Sequence, residues 1–314
     1  MVKLQRVCVP LTMACDFNCR YCYRAAGKRD IPSFNGLMRA YLAQLSPEWC
    51  QSVIASGGEP LLVPELVYEL FSYTPHNIHK KVLTNGANLT REFVEWANLN
   101  KVEVQVSHDG AHTKQLRGYD VLADEDLLPL IRNIECLTIH CVCTAYNPNP
   151  YKNYQHIKQY LGRGFYFSSG AVFGDEHYPE LIDGFNYAEY SRGRIQLLME
   201  AVPSYPPTNG QKQKKSYGFN VLPDGTVTGM ENITHTYGHV DEPIELLLER
   251  KRLMGDTRRC DNTTCHVRKY CRCAEQPADT HVCKTISANI DAALFVHEHL
   301  AKGKFNDLGT CDYA

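Results

Sequence analysis

The stretch VCVPLTMACDFNCRYCYR, residues 7–24, joins an apolar run typical of a buried β-strand to a loop that holds three cysteines. Cys15, Cys19 and Cys22 have the spacing Cys-x3-Cys-x2-Cys, which favours zinc or an iron–sulfur cluster. A structural zinc site takes four ligands, and neither a fourth cysteine nor a histidine lies in or near the loop. A cubane iron–sulfur cluster on three cysteines would have one iron without a protein ligand, which leaves room for a small molecule. A partial zinc site is the alternative.

The composition of the chain is that of an ordinary globular protein. It has 314 residues, of which 44% are hydrophobic and 22% charged, and its net charge is −2. This balance lacks the basic character typical of nucleic-acid binding. No apolar run reaches the roughly 20 residues that a membrane span needs. The N-terminus resembles a charged region followed by a short apolar run, but Pro10 interrupts that run and no clean cleavage site follows, which argues against a signal peptide. We therefore expect a cytoplasmic protein with no nucleic-acid or membrane partner.

The alternation of strand and helix patterns predicts the fold. Apolar runs rich in β-branched residues predict strands at 7–13, 52–58, 79–86, 102–110, 136–146 and 165–173. Amphipathic runs between them predict helices at 36–45, 63–74, 90–99, 124–134 and 151–161, and a further helix ends near residue 201. Such alternation implies a parallel sheet with right-handed crossovers. Six units fall short of the eight in a complete TIM barrel, so we predict an α/β fold with a partial, open (β/α)6 barrel.

The last third of the chain has a different pattern. Residues 203–215 are rich in Pro, Gly and Lys and indicate a boundary or a long loop. Residues 216–230 read as a hairpin around Pro-Asp-Gly, and 287–303 as a final helix. The predicted domains are a barrel core, 1–202, and a small cysteine-rich extension, 203–314.

Further motifs follow the predicted strands, where the active sites of barrels lie. SGGEP, residues 56–60, follows the second strand, and its glycines allow close approach of the backbone to a ligand. Glu59 can pair with an ammonium group. VSHDG at 106–110 ends the fourth strand and precedes HTKQLRG at 112–118.

Taken together, these motifs resemble the radical S-adenosylmethionine (radical SAM) superfamily over about residues 7–175. The resemblance implies that Cys15, Cys19 and Cys22 hold a [4Fe–4S] cluster whose open iron is chelated by the methionine moiety of S-adenosylmethionine. An electron, supplied by a reductant such as flavodoxin or ferredoxin, breaks the sulfonium C5′–S bond. The 5′-deoxyadenosyl radical then takes a hydrogen atom from the substrate.

The resemblance also implies cofactor contacts. An aromatic residue would lie near the adenine of S-adenosylmethionine, and the GGEP motif would contact its amino group. Two polar residues would lie on the side of its ribose or its carboxylate. The residues in these positions are Tyr21, Gly57, Gly58, Glu59, Pro60, Ser107 and Arg117. For Arg117 a surface ion pair is the alternative interpretation, and Asp109 could serve only to shape a turn.

Fourteen cysteines are many for a cytoplasmic protein, where clustered thiols suggest metal binding or catalysis. A second cluster has the spacing Cys-x4-Cys-x5-Cys-x-Cys-x9-Cys and resembles the SPASM/twitch extension of radical SAM enzymes. Met230 stands where that pattern has a cysteine, so the resemblance implies one auxiliary [4Fe–4S] cluster instead of two. A structural zinc site is the alternative. The expected ligands are Cys260, Cys265, Cys271 and Cys283.

Three other thiols are candidate hydrogen-atom donors. Cys273 lies within the second cluster and could also be a spare thiol or an alternative ligand. Cys141 and Cys143 lie two apart on the fifth predicted strand and so share one face. One of them could donate a hydrogen atom to a substrate radical if that face points into the barrel. Burial as small hydrophobic side chains is the alternative.

The extension resembles that of enzymes that modify peptides, so we expect hydrogen abstraction from a peptide or protein that ends in oxidation, cross-linking or epimerisation. No peptide-recognition domain precedes the core motif, so a separate protein would bind the leader, or the substrate is small. The second interpretation is a small-molecule oxidase or dehydrogenase. The third is a non-catalytic iron–sulfur redox or scaffold protein.

Overall fold

The computed structural model of the chain describes residues 3–22, 39, 42–43, 45–47, 50–172, 178–200, 216–221, 225–229, 236–243, 246–247, 249–250 and 281–301. The predicted helix at 36–45 lies mostly outside these residues. The described residues also leave out Met230 and the cysteines at 260, 265, 271 and 273.

The described strands form one twisted sheet. They are β1 (Lys3–Thr12), β2 (Cys50–Gly57), β3 (His79–Thr84), β4 (Glu103–Ser107), β5 (Leu137–Cys143), β6 (Tyr166–Ala171), β7 (Ser216–Val221), β8 (Thr226–Gly229) and β9 (Thr236–His239). Their order in the sheet is β6-β5-β4-β3-β2-β1-β7-β8-β9, and β1 to β6 are parallel to their neighbours. The second neighbour of β1 is β7 and not β6, so the barrel stays open. The prediction of a partial, open barrel is confirmed.

Helices connect the parallel strands as the alternation predicts. The described helices are α1 (Pro64–Tyr73), α2 (Arg91–Leu99), α3 (Thr113–Arg117), α4 (Leu127–Arg132), α5 (Pro150–Leu161), α6 (Pro179–Ile182), α7 (Tyr187–Met199) and α8 (His281–Ala301). Thr90 caps α2 by accepting a hydrogen bond from the Phe93 amide at 3.1 Å. Asn149 caps α5 by accepting from the amides of Tyr151 and Lys152. Both helices begin within one residue of the starts predicted from the sequence.

The main core lies between the helices and one face of the sheet. On β5 the residues Leu137, Ile139, Cys141 and Cys143 are at most 1% exposed and belong to this core. The alternate residues of the same strand turn to the other face, which is the interior of the partial barrel. β5 therefore presents an apolar face to the helices and a second face to the interior of the partial barrel.

The end of the chain is joined to the core more closely than the sequence suggests. β7 and β8 pair in the predicted hairpin, but β7 also pairs in parallel with β1. α8 begins six residues before the predicted helix and packs against α7, where the Tyr190 hydroxyl donates to Asn289 at 3.3 Å. The predicted domain boundary falls in residues that the structure does not describe, and the sheet continues on both sides of it.

Among the described helices, none combines the length and apolar character that crossing a membrane requires.

Candidate active site

Hydrogen bonds join the cysteine loop after β1 to the loops after β2, β3 and β4. The amides of Gly58 and Glu59 donate to the carbonyls of Thr12 and Ala14 at 2.7 and 2.8 Å. Asn85 Nδ2 donates to Asp16 Oδ1 at 2.7 Å. The Arg20 amide donates to the Leu116 carbonyl at 2.9 Å. Four loops at the carboxyl ends of parallel strands therefore meet where the sequence analysis expects the site.

The three thiols of the loop are half-buried and none forms a disulfide. Burial raises the pKa of Cys15 to about 11, and the negative charges of Glu59 and Asp16 add to this effect. Burial also raises the pKa of Cys19, against the opposing charge of Arg117. Because the pKa values of Cys15 and Cys19 are raised, these two thiols carry protons in the metal-free protein, and binding a metal must displace them.

The donor set of the loop, three thiols without a fourth protein ligand, fits a cubane cluster with one open iron. In the described part of the chain, no three His, Cys, Asp or Glu side chains are placed to hold one ion. A mononuclear zinc ion needs all its ligands within about 2.0–2.3 Å of one point. A cubane distributes its ligands over separate irons, so thiols that share a loop need not converge. Cys15, Cys19 and Cys22 are therefore the residues that would hold a [4Fe–4S] cluster.

The two glycines of SGGEP serve a contact that the sequence analysis did not anticipate. Gly57 has φ +134°, and a Cβ there would lie 2.0 Å from the Thr12 carbonyl oxygen. A Cβ on Gly58 would lie 2.2 Å from the carbonyl oxygen of Ala14. Both glycines let the loop after β2 cross directly over the backbone that leads into the cysteine loop.

Glu59 is fully buried and hydrogen-bonded within the protein. Its Oε1 accepts from the Leu61 amide at 2.9 Å and the Thr84 hydroxyl at 2.8 Å, and its Oε2 accepts from the Asn85 amide at 2.6 Å. Burial raises its pKa to about 7 in spite of these donors. Glu59 therefore fixes the loops after β2 and β3 to each other. Pro60, also buried, begins a short 3₁₀ turn in the same loop.

Arg117 forms an ion pair, but the pair is buried and not on the surface. Arg117 Nε donates to Asp109 Oδ2 at 2.8 Å, and Nη2 donates to Oδ1 at 3.1 Å. Asp109 also accepts from the Tyr21 hydroxyl and, at 2.8 Å, from the Val142 amide. The guanidinium group lies 5.3 Å from the centroid of the Tyr21 ring. Tyr21, just before the third cysteine, is thereby anchored to β4 and β5.

The turn after β4 contains a second buried network, which the sequence analysis missed. His108 is fully buried, and its Nε2 lies 2.9 Å from Asp120 Oδ1. Its Nδ1 lies 3.1 Å from the Thr113 hydroxyl, which in turn accepts from the Asp109 amide at 2.7 Å. This network fixes the backbone that carries the carboxylate of Asp109.

Ser107 begins a row of polar residues across three strands. Ser107 on β4 is in register with His140 on β5, which is in register with Ser168 on β6. His140 Nδ1 and Ser168 Oγ are 2.9 Å apart. Burial lowers the pKa of His140 to about 4, and the charge of Arg117 acts in the same direction, so the imidazole is neutral at pH 7.

The sequence analysis missed His140 and Ser168. The signal was the alternation on the fifth strand, where Thr138, His140 and Val142 lie opposite the apolar set.

Cys141 and Cys143 lie on the opposite face of β5, fully buried against the helices. Asn147 Nδ2 lies 3.8 Å from Cys141 Sγ, and Asn153 Nδ2 lies 3.9 Å from Cys143 Sγ. Burial raises the pKa of Cys141 well above its usual value. The hydrogen-donor interpretation requires this face to point into the barrel. In the structure the face packs in the main core instead, so the condition is not met. Their placement matches the alternative interpretation of small buried side chains.

Of the second cysteine cluster the structure describes Cys283, which is half-buried in the first turn of α8. The other three expected ligands and Cys273 lie outside the described residues.

A cavity of about 540 Å³ lies between the cysteine loop and the segment after α3. Its wall includes Asp16, Phe17, Arg117, Tyr119 and Asp126. The volume is in the range of about 300–1,000 Å³ that is common for ligand pockets.

Comparison with known proteins identifies the core. Residues 9–161 match the family model described as the radical SAM superfamily. The mycofactocin maturase MftC of Mycobacterium tuberculosis (strain ATCC 25618 / H37Rv) is 33% identical over 115 residues, which are 32% of this chain and 26% of that protein. The match thus spans about a quarter of the length of that relative.

Two further matches extend over most of the chain. The AdoMet-dependent heme synthase of Methanosarcina barkeri (strain Fusaro / DSM 804) is 26% identical over 262 residues, 70% of each protein. The structure of native anSMEcpe with bound AdoMet and Cp18Cys peptide superimposes with a TM-score of 0.73 at 18% identity, covering 96% of this chain and 99% of that one. The superposition on anSMEcpe shows that the two chains share a fold. Residues 9–161 thus match the radical SAM superfamily, in agreement with the sequence motifs and with the open barrel.

Proposed function

We propose that this protein is a radical SAM enzyme that abstracts a hydrogen atom from a peptide or protein substrate. Cys15, Cys19 and Cys22 hold a [4Fe–4S] cluster, and S-adenosylmethionine binds beside it. When bound, the two cofactors supply a 5′-deoxyadenosyl radical by one-electron cleavage of the sulfonium C–S bond. The observation that carries the proposal is the loop of three thiols held by hydrogen bonds against the loops after β2, β3 and β4.

The residues of this chain position these cofactors. Glu59 and the glycines before it set the distance between the cysteine loop and the loop after β2. The Asp109–Arg117 pair anchors Tyr21, so the third cysteine follows a fixed residue. The interior row that includes Ser107 and His140 presents neutral polar groups, which suit the sugar of a nucleoside or the amides of a peptide better than a charged group.

A peptide substrate is favoured by the relatives and by the open barrel. MftC is named a maturase, and anSMEcpe is known in complex with a peptide. Since β6 does not pair with β1, a chain could approach from the side of the described sheet. The reaction that follows abstraction is oxidation, cross-linking or epimerisation.

The C-terminal thiols complete the proposal. Cys260, Cys265, Cys271 and Cys283 would hold an auxiliary [4Fe–4S] cluster, which would supply an electron acceptor for an oxidative reaction. Flavodoxin or ferredoxin supplies the electron that starts catalysis, and the protein acts in the cytoplasm. Cys273 is retained as a candidate hydrogen donor. Iron, sulfide and zinc analysis after anaerobic reconstitution tests this part, because two [4Fe–4S] clusters give about eight irons per chain, whereas one cluster and one zinc ion give about four.

A small-molecule substrate is the second candidate. The match to the AdoMet-dependent heme synthase covers 70% of both proteins, a much larger share than the match to MftC. The two candidates share the cofactors and differ in what occupies the barrel.

The deciding experiment measures 5′-deoxyadenosine and substrate mass after anaerobic incubation with S-adenosylmethionine and dithionite. A library of synthetic peptides and a panel of tetrapyrroles are supplied separately. The Cys15→Ala/Cys19→Ala/Cys22→Ala variant tests the first cluster, and Cys136→Ala, an exposed single thiol, is the matched control. We expect 5′-deoxyadenosine from the wild type and the control only, and a mass change in a peptide. Retained activity in the triple variant would overturn the proposal, and a modified tetrapyrrole would favour the second candidate.

A further inference from the structure

Asp16 follows the first cysteine of the loop, and both of its carboxylate oxygens are held by the loop after β3. Asn85 Nδ2 donates to Oδ1 at 2.7 Å, and Asn88 Nδ2 donates to Oδ2 at 2.8 Å. Two amide side chains from the loop after β3 therefore fix a carboxylate directly beside Cys15.

Asn85 is itself rigidly held. It is 7% exposed, its backbone amide donates to Glu59 at 2.6 Å, and its Oδ1 accepts from the Ala87 amide at 2.8 Å. Its Nδ2 also lies 3.9 Å from Cys15 Sγ. One amide group thus reaches both the carboxylate of Asp16 and the sulfur of Cys15. Asn88 reaches the carboxylate from the exposed side of the site.

The carboxylate places a negative charge close to the first cysteine. Asp16 Oδ1 lies 4.0 Å from Cys15 Sγ. The potential of an iron–sulfur cluster depends on local charge, on hydrogen bonds to the sulfurs and on solvent exposure. A fixed anion lowers the potential because it opposes the addition of an electron, whereas an amide donor to sulfur raises it. At these similar distances a full charge outweighs a long amide–sulfur contact.

We propose that Asp16, held by Asn85 and Asn88, is a positioning residue that fixes Cys15 and makes the reduced cluster a stronger reductant. The inference rests on the proposed function for the presence of the cluster. It goes beyond that function by assigning two separate effects to one carboxylate, geometry through the two amides and reduction potential through the charge.

Two substitutions of Asp16 separate these effects. Asp16→Asn keeps the size of the side chain and removes its charge, and Asp16→Glu keeps the charge and moves it away from the amides. We expect Asp16→Asn to shift the midpoint potential of the cluster to a less negative value. We expect Asp16→Glu to keep a near-normal potential but to lose iron to a chelator several-fold faster. The potential is measured by an EPR-monitored redox titration without S-adenosylmethionine or substrate.

Asp126→Asn is the matched control. Asp126 is an exposed carboxylate, and it lines the cavity of about 540 Å³ that Asp16 also lines. An equal shift in Asp16→Asn and Asp126→Asn would overturn the assignment of potential. Asn88→Ala serves if the Asp16 variants fail to fold, and we expect it to release iron faster than the control. Equal rates would overturn the assignment of geometry. A wild type that binds no iron would instead contradict the proposed function.

Discussion

Two buried ion pairs lie in the partial barrel and differ in what surrounds them. Asp109 and Arg117 follow β4, at the end of the strands where the cysteine loop lies, and they also engage Tyr21. Glu103 and Lys81 lie nearer the start of the strands, 2.8 Å apart, and Glu103 also accepts from Thr138 at 2.6 Å. The first pair connects the loops of the site to one another, whereas the second connects β3, β4 and β5. This matches the general division of barrels, in which the carboxyl end of the strands holds function and the other end holds stability.

The largest effect is expected from Asp109→Ala. Removing the carboxylate leaves a buried guanidinium without a partner, which lowers the free energy of unfolding by about 3–5 kcal/mol. It also releases the Tyr21 hydroxyl, so formation of 5′-deoxyadenosine should fall with stability. Chemical denaturation and an assay under reducing conditions measure the two effects.

A neutral replacement of both partners, Asp109→Asn/Arg117→Gln, is the control for the uncompensated charge. We expect it to recover part of the stability and none of the activity. Recovery of activity would show that the Asp109–Arg117 pair serves stability alone. The two ion pairs would then have the same structural role.

The second pair should act through pH. Burial alone would raise the pKa of Glu103, but hydrogen bonds from His79, Lys81 and Thr138 lower it to about 2. Burial lowers the pKa of Lys81, although the negative charge of Glu103 opposes this shift. The network therefore stabilises the charged form of the Glu103 carboxylate, which accepts several hydrogen bonds.

Since the folded pKa of Glu103 lies below the usual value of 4.5, its contribution is complete above pH 4.5. It is lost as the pH falls towards 2, by up to about 3 kcal/mol. Denaturation curves of the wild type and Glu103→Gln between these pH values measure this loss. An equally steep acid limb in the variant would show that other groups cause it.

Close backbone contact gives the third prediction. In Gly58→Ala the new methyl group would meet the Ala14 carbonyl oxygen at 2.2 Å, so the cysteine loop must move. We expect a loss of about 1–3 kcal/mol of stability and fewer than four irons bound by the first cluster.

Gly164→Ala is the matched control, because a Cβ there meets no atom within 4 Å. Its stability should change by less than about 1 kcal/mol. If both variants bind iron equally, the crossing of the two loops is not needed for the site.

The sequence predicted the parts of this site that depend on local patterns. Alternating periodicity gave the six parallel strands, and the spacing of Cys15, Cys19 and Cys22 gave the central loop. The pairing of β7 with β1 depends on contacts between distant segments, which no local pattern records. The same is true of Glu59, which was predicted as a site residue but which accepts two of its hydrogen bonds from Thr84 and Asn85 at the end of β3. His140 was missed because polar residues inside a strand look like solvent-facing ones until the barrel is assembled.

The smallest effect is expected from Cys141→Ala, next to His140 but on the opposite face of β5. The thiol contacts the helix-facing core, so its loss should cost about 1 kcal/mol of stability. Because the side chain points away from the barrel interior, 5′-deoxyadenosine and modified substrate should form as in the wild type. Unchanged 5′-deoxyadenosine with loss of the modified product would instead identify Cys141 as a hydrogen donor. That result would require β5 to present its other face to the substrate, in conflict with the register between His140 and Ser168.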